Sequence, residues 1–172
     1  MEVADLLTEE DIALGVAVKG KRSALSKIAA RLAGRTDVDA RVIRRALIAR
    51  EQTGSTALGA GVAIPHALLG HISHPVASLT RLARPIDFDA PDGSLVDLLL
   101  TLLWPRSDIG NFLPTLANAC RLFRGETRRE MLRQARSPTE AFAIMCLKPE
   151  AFRAAGWLQT RLLVEAQSGA AF

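Results

Sequence analysis

Apolar positions along this chain alternate between helical and strand spacing, and the changes of period divide it into elements. Thr8-Glu9-Glu10-Asp11 reads as a short capped turn, followed by a first strand over residues 12–18. From 23 to 33, Leu25, Ile28, Ala29 and Leu32 recur at helical spacing, and Gly34 ends the run. Asp37 or Asp39 caps a second helix on which Val42, Ile43, Ala46 and Leu47 share a face. The segment TGSTALGAGVAIPH is rich in glycine and small residues, with Val62-Ala63-Ile64 a short buried strand that stops at Pro65. Residues 76–82 alternate as a strand does, PIDFDAPDG is a turn-rich loop, and residues 96–104 form one unbroken apolar run. Such a run between Gly93 and Pro105 predicts a central strand buried on both faces.

The last third is helical. Asn111 is a candidate cap for a helix carrying Leu113, Leu116, Ala117, Cys120 and Phe123, with Pro114 in its first turn. Residues 126–135 predict another helix. Ser137-Pro138-Thr139-Glu140 then combines a cap, a proline at the first helical position and a glutamate that reaches back. Pro149 opens a further amphipathic stretch with Phe152, Ala155, Leu158 and Leu162, so the expected organisation is a domain over 1–148 and a C-terminal helical extension over 149–172. The order of strand, two helices, three strands and then helices predicts an α+β chain. Helices must cover both sheet faces, which gives a three-layer α/β/α sandwich around a mixed β-sheet with at least one antiparallel pair.

Composition narrows the class. With 49% apolar and 23% charged residues in 172, the chain can bury a core without disulfides. No apolar run reaches the roughly 20 residues that a membrane helix needs, and MEVADLLTEEDIALG lacks the pattern of a signal peptide. Cys120 and Cys146 have no metal-ligand spacing and read as reduced packing residues of a cytoplasmic protein. The net charge of +4 comes from scattered arginines, and aromatic residues are 5% with no tyrosine. That argues against nucleic acid as a partner.

Three histidines are present. His71 and His74 flank the loop HISH without a third ligand nearby, so they read as exposed loop residues and no metal site is expected. His66 differs in its setting. It follows a buried strand and a proline that fixes the backbone, and Gly54, Gly59 and Gly61 precede it. Glycine loops of this kind can present N–H groups to an anion. A neutral imidazole at a strand end has a free lone pair and can act as a nucleophile, though the same setting also suits a structural histidine.

The segment STALGAGVAIPHALL resembles the phosphorylation-site signature of type-2 IIA domains of the phosphoenolpyruvate-dependent phosphotransferase system, the mannitol/fructose/nitrogen-regulatory family. PIDFDAPDGSLVDLLLTLLWP and LIAREQTGST resemble two further stretches of that family, and the similarity runs in order over about residues 2–147. Because the chain carries no fused transporter or carrier domain, it is most similar to the nitrogen-regulatory subgroup. The resemblance implies the type-2 IIA fold and a phosphohistidine at His66. It also implies an arginine, Arg50, near the phosphoryl group, where the alternative is a solvated cation at a helix C-terminus. Ser55, Thr56, Gly59 and Gly61 then line the phosphoryl site, with N–H groups of the 54–61 loop stabilising its oxygens.

Two positions depart from the family pattern. Phe112 stands where a second histidine is common, and Ala67 replaces the glycine that commonly follows the phosphorylated histidine. Phenylalanine cannot donate to a phosphoryl oxygen. The expected partners are an HPr-like (NPr) phosphocarrier and regulatory target proteins, with no metal or organic cofactor and no membrane insertion. The rival functions are a binding-only regulator and a sugar-specific IIA that passes phosphate to a IIB domain.

Overall fold

A computed structural model describes residues 2–148, so the predicted extension over 149–172 lies outside the described residues. The elements are β1 (Ile12–Val16), α1 (Lys21–Ala33), α2 (Ala40–Gln52), β2 (Ala57–Gly59), β3 (Val62–Ala63), β4 (His66–Leu69), β5 (Val76–Ile86), β6 (Val96–Pro105), α3 (Ile109–Leu122), α4 (Glu126–Gln134) and α5 (Pro138–Cys146). Short 3-10 turns at Val3–Leu6 and Glu9–Asp11 precede β1, and a third at Arg106–Asp108 precedes α3.

The strands form one mixed sheet in the order β1-β5-β6-β3-β2, with β4 also on β6. β6 is the axis. It pairs antiparallel with β5 along one side, Leu79 opposite Leu100. On its other side it pairs in parallel first with β3, Val62 opposite Leu98, and then with β4, His66 opposite Leu102. Its run Val-Asp-Leu-Leu-Leu-Thr-Leu-Leu-Trp-Pro is buried at every position but Asp97. Leu98, Leu100 and Leu102 face a core built with α3, α4 and α5, while Leu99 and Leu103 face the core under α1 and α2. A period of two thus feeds both layers from one strand, and the three-layer α/β/α sandwich is the observed architecture.

Several boundaries differ from the sequence reading. β1 stops at Val16. α1 begins at Lys21 rather than 23, because Ser23 serves as its third residue and reaches back to accept from the Gly20 and Lys19 N–H groups at 3.0 and 2.9 Å. Asp39, not Asp37, caps α2, its carboxylate accepting from the Arg41 N–H. Val42 is 39% exposed, and the buried face of α2 is Ile43, Leu47 and Glu51. Asn111 does not cap α3. That helix starts at Ile109, with the Asn111 side chain donating to Asp108, so Pro114 falls in the second turn. α3 buries Phe112, Thr115 and Ala119 and leaves Leu113 67% exposed. Cys120 is half-buried and packs against the core beside α3, as expected, whereas Cys146 is exposed, which corrects its reading as a packing residue.

The strand expected to end at Pro65 resumes after it. Proline has no N–H for the ladder, so pairing lapses for one step, but the Pro65 carbonyl still accepts from Leu102 N at 3.0 Å. The long β6 then supports His66–Leu69 as a further stretch. His66 is therefore the first residue of β4, placed beside the C-terminal half of β6 by their register.

Candidate functional site

His66 is 8% exposed and both of its ring nitrogens are engaged. Nδ1 lies 2.8 Å from the Ile64 carbonyl, which can only accept, so Nδ1 carries the proton. Nε2 is then the lone-pair nitrogen, and it accepts from Arg50 Nε–H at 2.9 Å. Arg50 comes from the last turn of α2. Its Nη1 donates to Thr53 Oγ1 at 3.2 Å and to the Gly54 carbonyl at 3.0 Å, which fixes the plane of the guanidinium. Burial pushes the His66 imidazole below its ordinary pKa, against the Ile64 carbonyl, and the Arg50 charge acts in the same direction as burial, against Glu51. The geometry gives the ring a defined tautomer, burial favours its neutral form, and its Nε2 lone pair is held next to a permanent cation.

Phe112 closes one side. Its ring centroid lies 5.5 Å from that of His66 at an interplanar angle of 51°, and 5.9 Å from that of Trp104. Trp104 is itself fixed by its Nε1–H donating to the Asp108 carbonyl at 2.7 Å. The wall of the site on the α3 side is thus aromatic and supplies no donor from position 112.

The other sequence-predicted residues are only partly brought to His66. The Ser55 hydroxyl donates to the Phe88 carbonyl at 2.7 Å and accepts from Ala57 N–H, so it ties the loop to the 87–93 segment. Thr56 is buried, and its hydroxyl donates to Glu51 at 2.6 Å. Gly59 and Gly61 lie at the far end of the short strands. Leu98 and Leu102, the partners of Val62 and His66, are four residues apart on β6, or about 13 Å at strand rise. Several of the N–H groups proposed for anion binding are used within the protein: those of Thr56 by Glu51, Ala57 by Ser55, Ala60 by Asp92 and Gly61 by Ser94.

Gly61 has φ +80°, and a Cβ there would run into the Arg133 guanidinium, which is locked to Asp97 at 2.9 Å. Gly61→Ala is expected to lower stability by roughly 2 kcal/mol through backbone strain and that clash. Chemical denaturation would check this; a midpoint equal to wild type would refute it.

His71 and His74 are exposed, and among the described residues no group of three His, Cys, Asp or Glu could hold a metal ion. Sequence reasoning overlooked Glu51 and Lys21. The Glu51 carboxylate accepts from Thr56 N–H and Oγ1–H and from Lys21 Nζ at 3.0 Å. Lys21 also reaches Asp89 at 2.5 Å and lies 4.6 Å over the Phe88 ring. Burial alone would lower the Lys21 ammonium, but its bonds to Asp89 and Glu51 outweigh this and hold it above the ordinary lysine range. A signal for Glu51 was present: an acid in the last turn of a helix opposes the helix dipole and needs a specific partner.

Comparison with known proteins gives one consistent answer. The family model for the phosphoenolpyruvate-dependent sugar phosphotransferase system, EIIA 2, matches residues 5–146. The nitrogen regulatory protein of Bradyrhizobium diazoefficiens is 36% identical over 149 residues, covering 87% of this chain and 97% of that one. That of Escherichia coli is 32% identical over 146 residues, covering 84% and 90%. Among solved structures, the nitrogen regulatory protein IIA-Ntr from Neisseria meningitidis superposes with TM-score 0.80 at 31% identity, covering 83% of this chain and 98% of that one. IIA mannitol from Escherichia coli shares the fold, with TM-score 0.68 at 19% identity over 81% and 99%. No helix among the described residues is long and apolar enough to cross a membrane. The chain belongs to the EIIA type 2 family of the phosphoenolpyruvate-dependent sugar phosphotransferase system, and its relatives of highest identity named here are nitrogen regulatory proteins.

Proposed function

We propose that this protein accepts a phosphoryl group on His66 Nε2 from an HPr-like phosphocarrier, and that the phosphorylated and free forms act on regulatory target proteins in the cytoplasm. The observation that carries the reading is the tautomer. Nδ1–H is committed to Ile64, so Nε2 alone has a lone pair, and it faces the Arg50 guanidinium. In the transfer, the phosphorus–nitrogen bond of the donor phosphohistidine breaks as a new one forms at Nε2, and the donor ring leaves with the electron pair. Catalysis is positioning plus stabilisation of the equatorial oxygens. The Arg50 N–H that occupies the Nε2 lone pair has to shift onto the incoming oxygens, where its fork suits a phosphoryl group. The substituted ring keeps its Nδ1 proton, and the Ile64 carbonyl favours that protonated form. No metal or organic cofactor has a role in this scheme.

Incubation with a phosphorylated HPr-like carrier tests the reading. An acid-labile phosphoryl group that maps to Nε2 of His66 is expected; a protein that takes up none under conditions that load a known IIA protein would refute it.

Phe112 favours a second reading, a binding-only regulator, because its ring packs 5.5 Å from the imidazole and offers no donor to a phosphoryl group there. The two readings differ in the outcome for Phe112→His. A donor restored at that wall is worth roughly 1.5–3 kcal/mol to a charged acceptor. The variant is therefore expected to raise the equilibrium constant for loading about tenfold or more, read as the fraction phosphorylated at fixed donor. An unchanged or lower fraction in the folded variant would remove Phe112 from the account.

A further inference from the structure

Arg50 and Glu51 are adjacent in the chain, and both grip the loop that follows them. Arg50 Nη1 holds its start, at Thr53 Oγ1 and the Gly54 carbonyl. Glu51 holds its end, where its two carboxylate oxygens accept from Thr56 N–H at 3.2 Å each and one of them from Thr56 Oγ1–H at 2.6 Å. From Thr56 the connection continues across the sheet. Its carbonyl accepts from Ile64 N–H at 2.9 Å, and the Ile64 carbonyl accepts from His66 Nδ1–H at 2.8 Å. One residue, Thr56, therefore anchors two routes to the imidazole. One ends at Nδ1 through Ile64, and the other ends at Nε2 through the 53–56 loop and Arg50.

The carboxylate at the head of this arrangement is costly. Glu51 is 8% exposed and sits in the last turn of α2, where the helix dipole disfavours an anion. Lys21 offsets that cost from α1, and it also ties Asp89, whose backbone has φ +53°, to the same cluster. A buried ion pair is weak evidence for stability but can hold one arrangement in place of several. The Thr56 hydroxyl has no such electrostatic burden, yet it makes the shortest of the bonds to Glu51.

We propose that Glu51 and Thr56 form a positioning unit that sets the tautomer of His66 and the placement of Arg50, and so governs the rate of phosphoryl transfer without touching the phosphoryl group. The rate part rests on the proposed function; the tautomer part does not. Thr56→Val keeps the volume and removes the hydroxyl, Thr56→Ser restores it, and Glu51→Gln removes the charge. In the unphosphorylated protein, nitrogen-15 NMR of the imidazole reads the tautomer directly. Wild type is expected to show Nδ1–H. Thr56→Val is expected to show a mixed or broadened ring signal and about a tenfold lower limiting rate of loading, with the half-saturating donor concentration little changed. Thr56→Ser should recover most of both effects, and Glu51→Gln should follow Thr56→Val. A folded Thr56→Val protein with the wild-type tautomer and the wild-type limiting rate overturns the proposal, and that variant decides the matter if Glu51→Gln does not fold. If wild type itself accepts no phosphoryl group, the functional reading fails, while the NMR comparison still judges the positioning.

Discussion

His66→Asn is expected to abolish phosphoryl loading altogether while the protein stays folded. The asparagine amide can occupy the place of Nδ1–H and donate to the Ile64 carbonyl, so the anchor of the side chain persists. What disappears is Nε2, the only ring nitrogen with a lone pair. His66→Ala tests the same point more coarsely, since it also opens space beside Phe112 and leaves the Ile64 carbonyl without this donor. The measurement is transfer from a phosphorylated HPr-like carrier with circular dichroism as the check of fold; acid-labile phosphate retained on either variant would place the acceptor elsewhere.

The wild-type pH profile follows from the same geometry. Burial, with Arg50 in addition, lowers the pKa of His66 below the ordinary imidazole range. In the proposed transfer the neutral ring attacks, so its fraction is full above that lowered pKa and falls as pH drops through it. Loading should therefore hold constant through neutral pH and decline only in acid, below where a free histidine would lose half its activity. A decline centred at or above the ordinary value would show that the ring is not held as described.

Arg50→Ala is expected to slow loading by about 100-fold or more, the usual effect of removing a charged donor from a developing oxyanion. Three contacts end at this guanidinium, on His66 Nε2, Thr53 and Gly54, so its position is set before the donor arrives. Arg50→Lys keeps the charge and loses the planar fork. It should recover only part of the rate, because an ammonium cannot hold the Gly54 carbonyl and two phosphoryl oxygens together. Arg50 is half-buried at a helix end, so either variant should fold, and the comparison separates charge from geometry. If Arg50→Ala loads at the wild-type rate, the guanidinium serves only to shield the resting imidazole.

The two layers of helices and the axis of the sheet were legible from periodicity. The 96–104 run, bounded by Gly93 and Pro105, suited a strand buried on both faces, and the Ser137-Pro138 start of α5 is local chemistry confined to four residues. The pairing of His66 with Arg50 was also accessible, through a motif whose parts lie sixteen residues apart. Contacts that depend on sheet register were not. Ser55 meets Phe88, Gly61 meets Arg133, and of the glycines that seemed to cradle an anion Gly54 stays beside Arg50, while Gly59 and Gly61 turn a hairpin whose Val62 lies about 13 Å from His66 along β6. Even near neighbours misled where two local rules competed: Asn111 could cap a helix, but the turn Arg106–Asp108 starts the spiral earlier. Local hydrogen bonds and apolar spacing are written within a few residues and survive any fold that contains them. The carboxylate of Glu51, the hydroxyl of Thr56 and the ring of Phe112 acquire their roles only when α2, β4 and α3 converge on one end of β6, which no single stretch of sequence encodes.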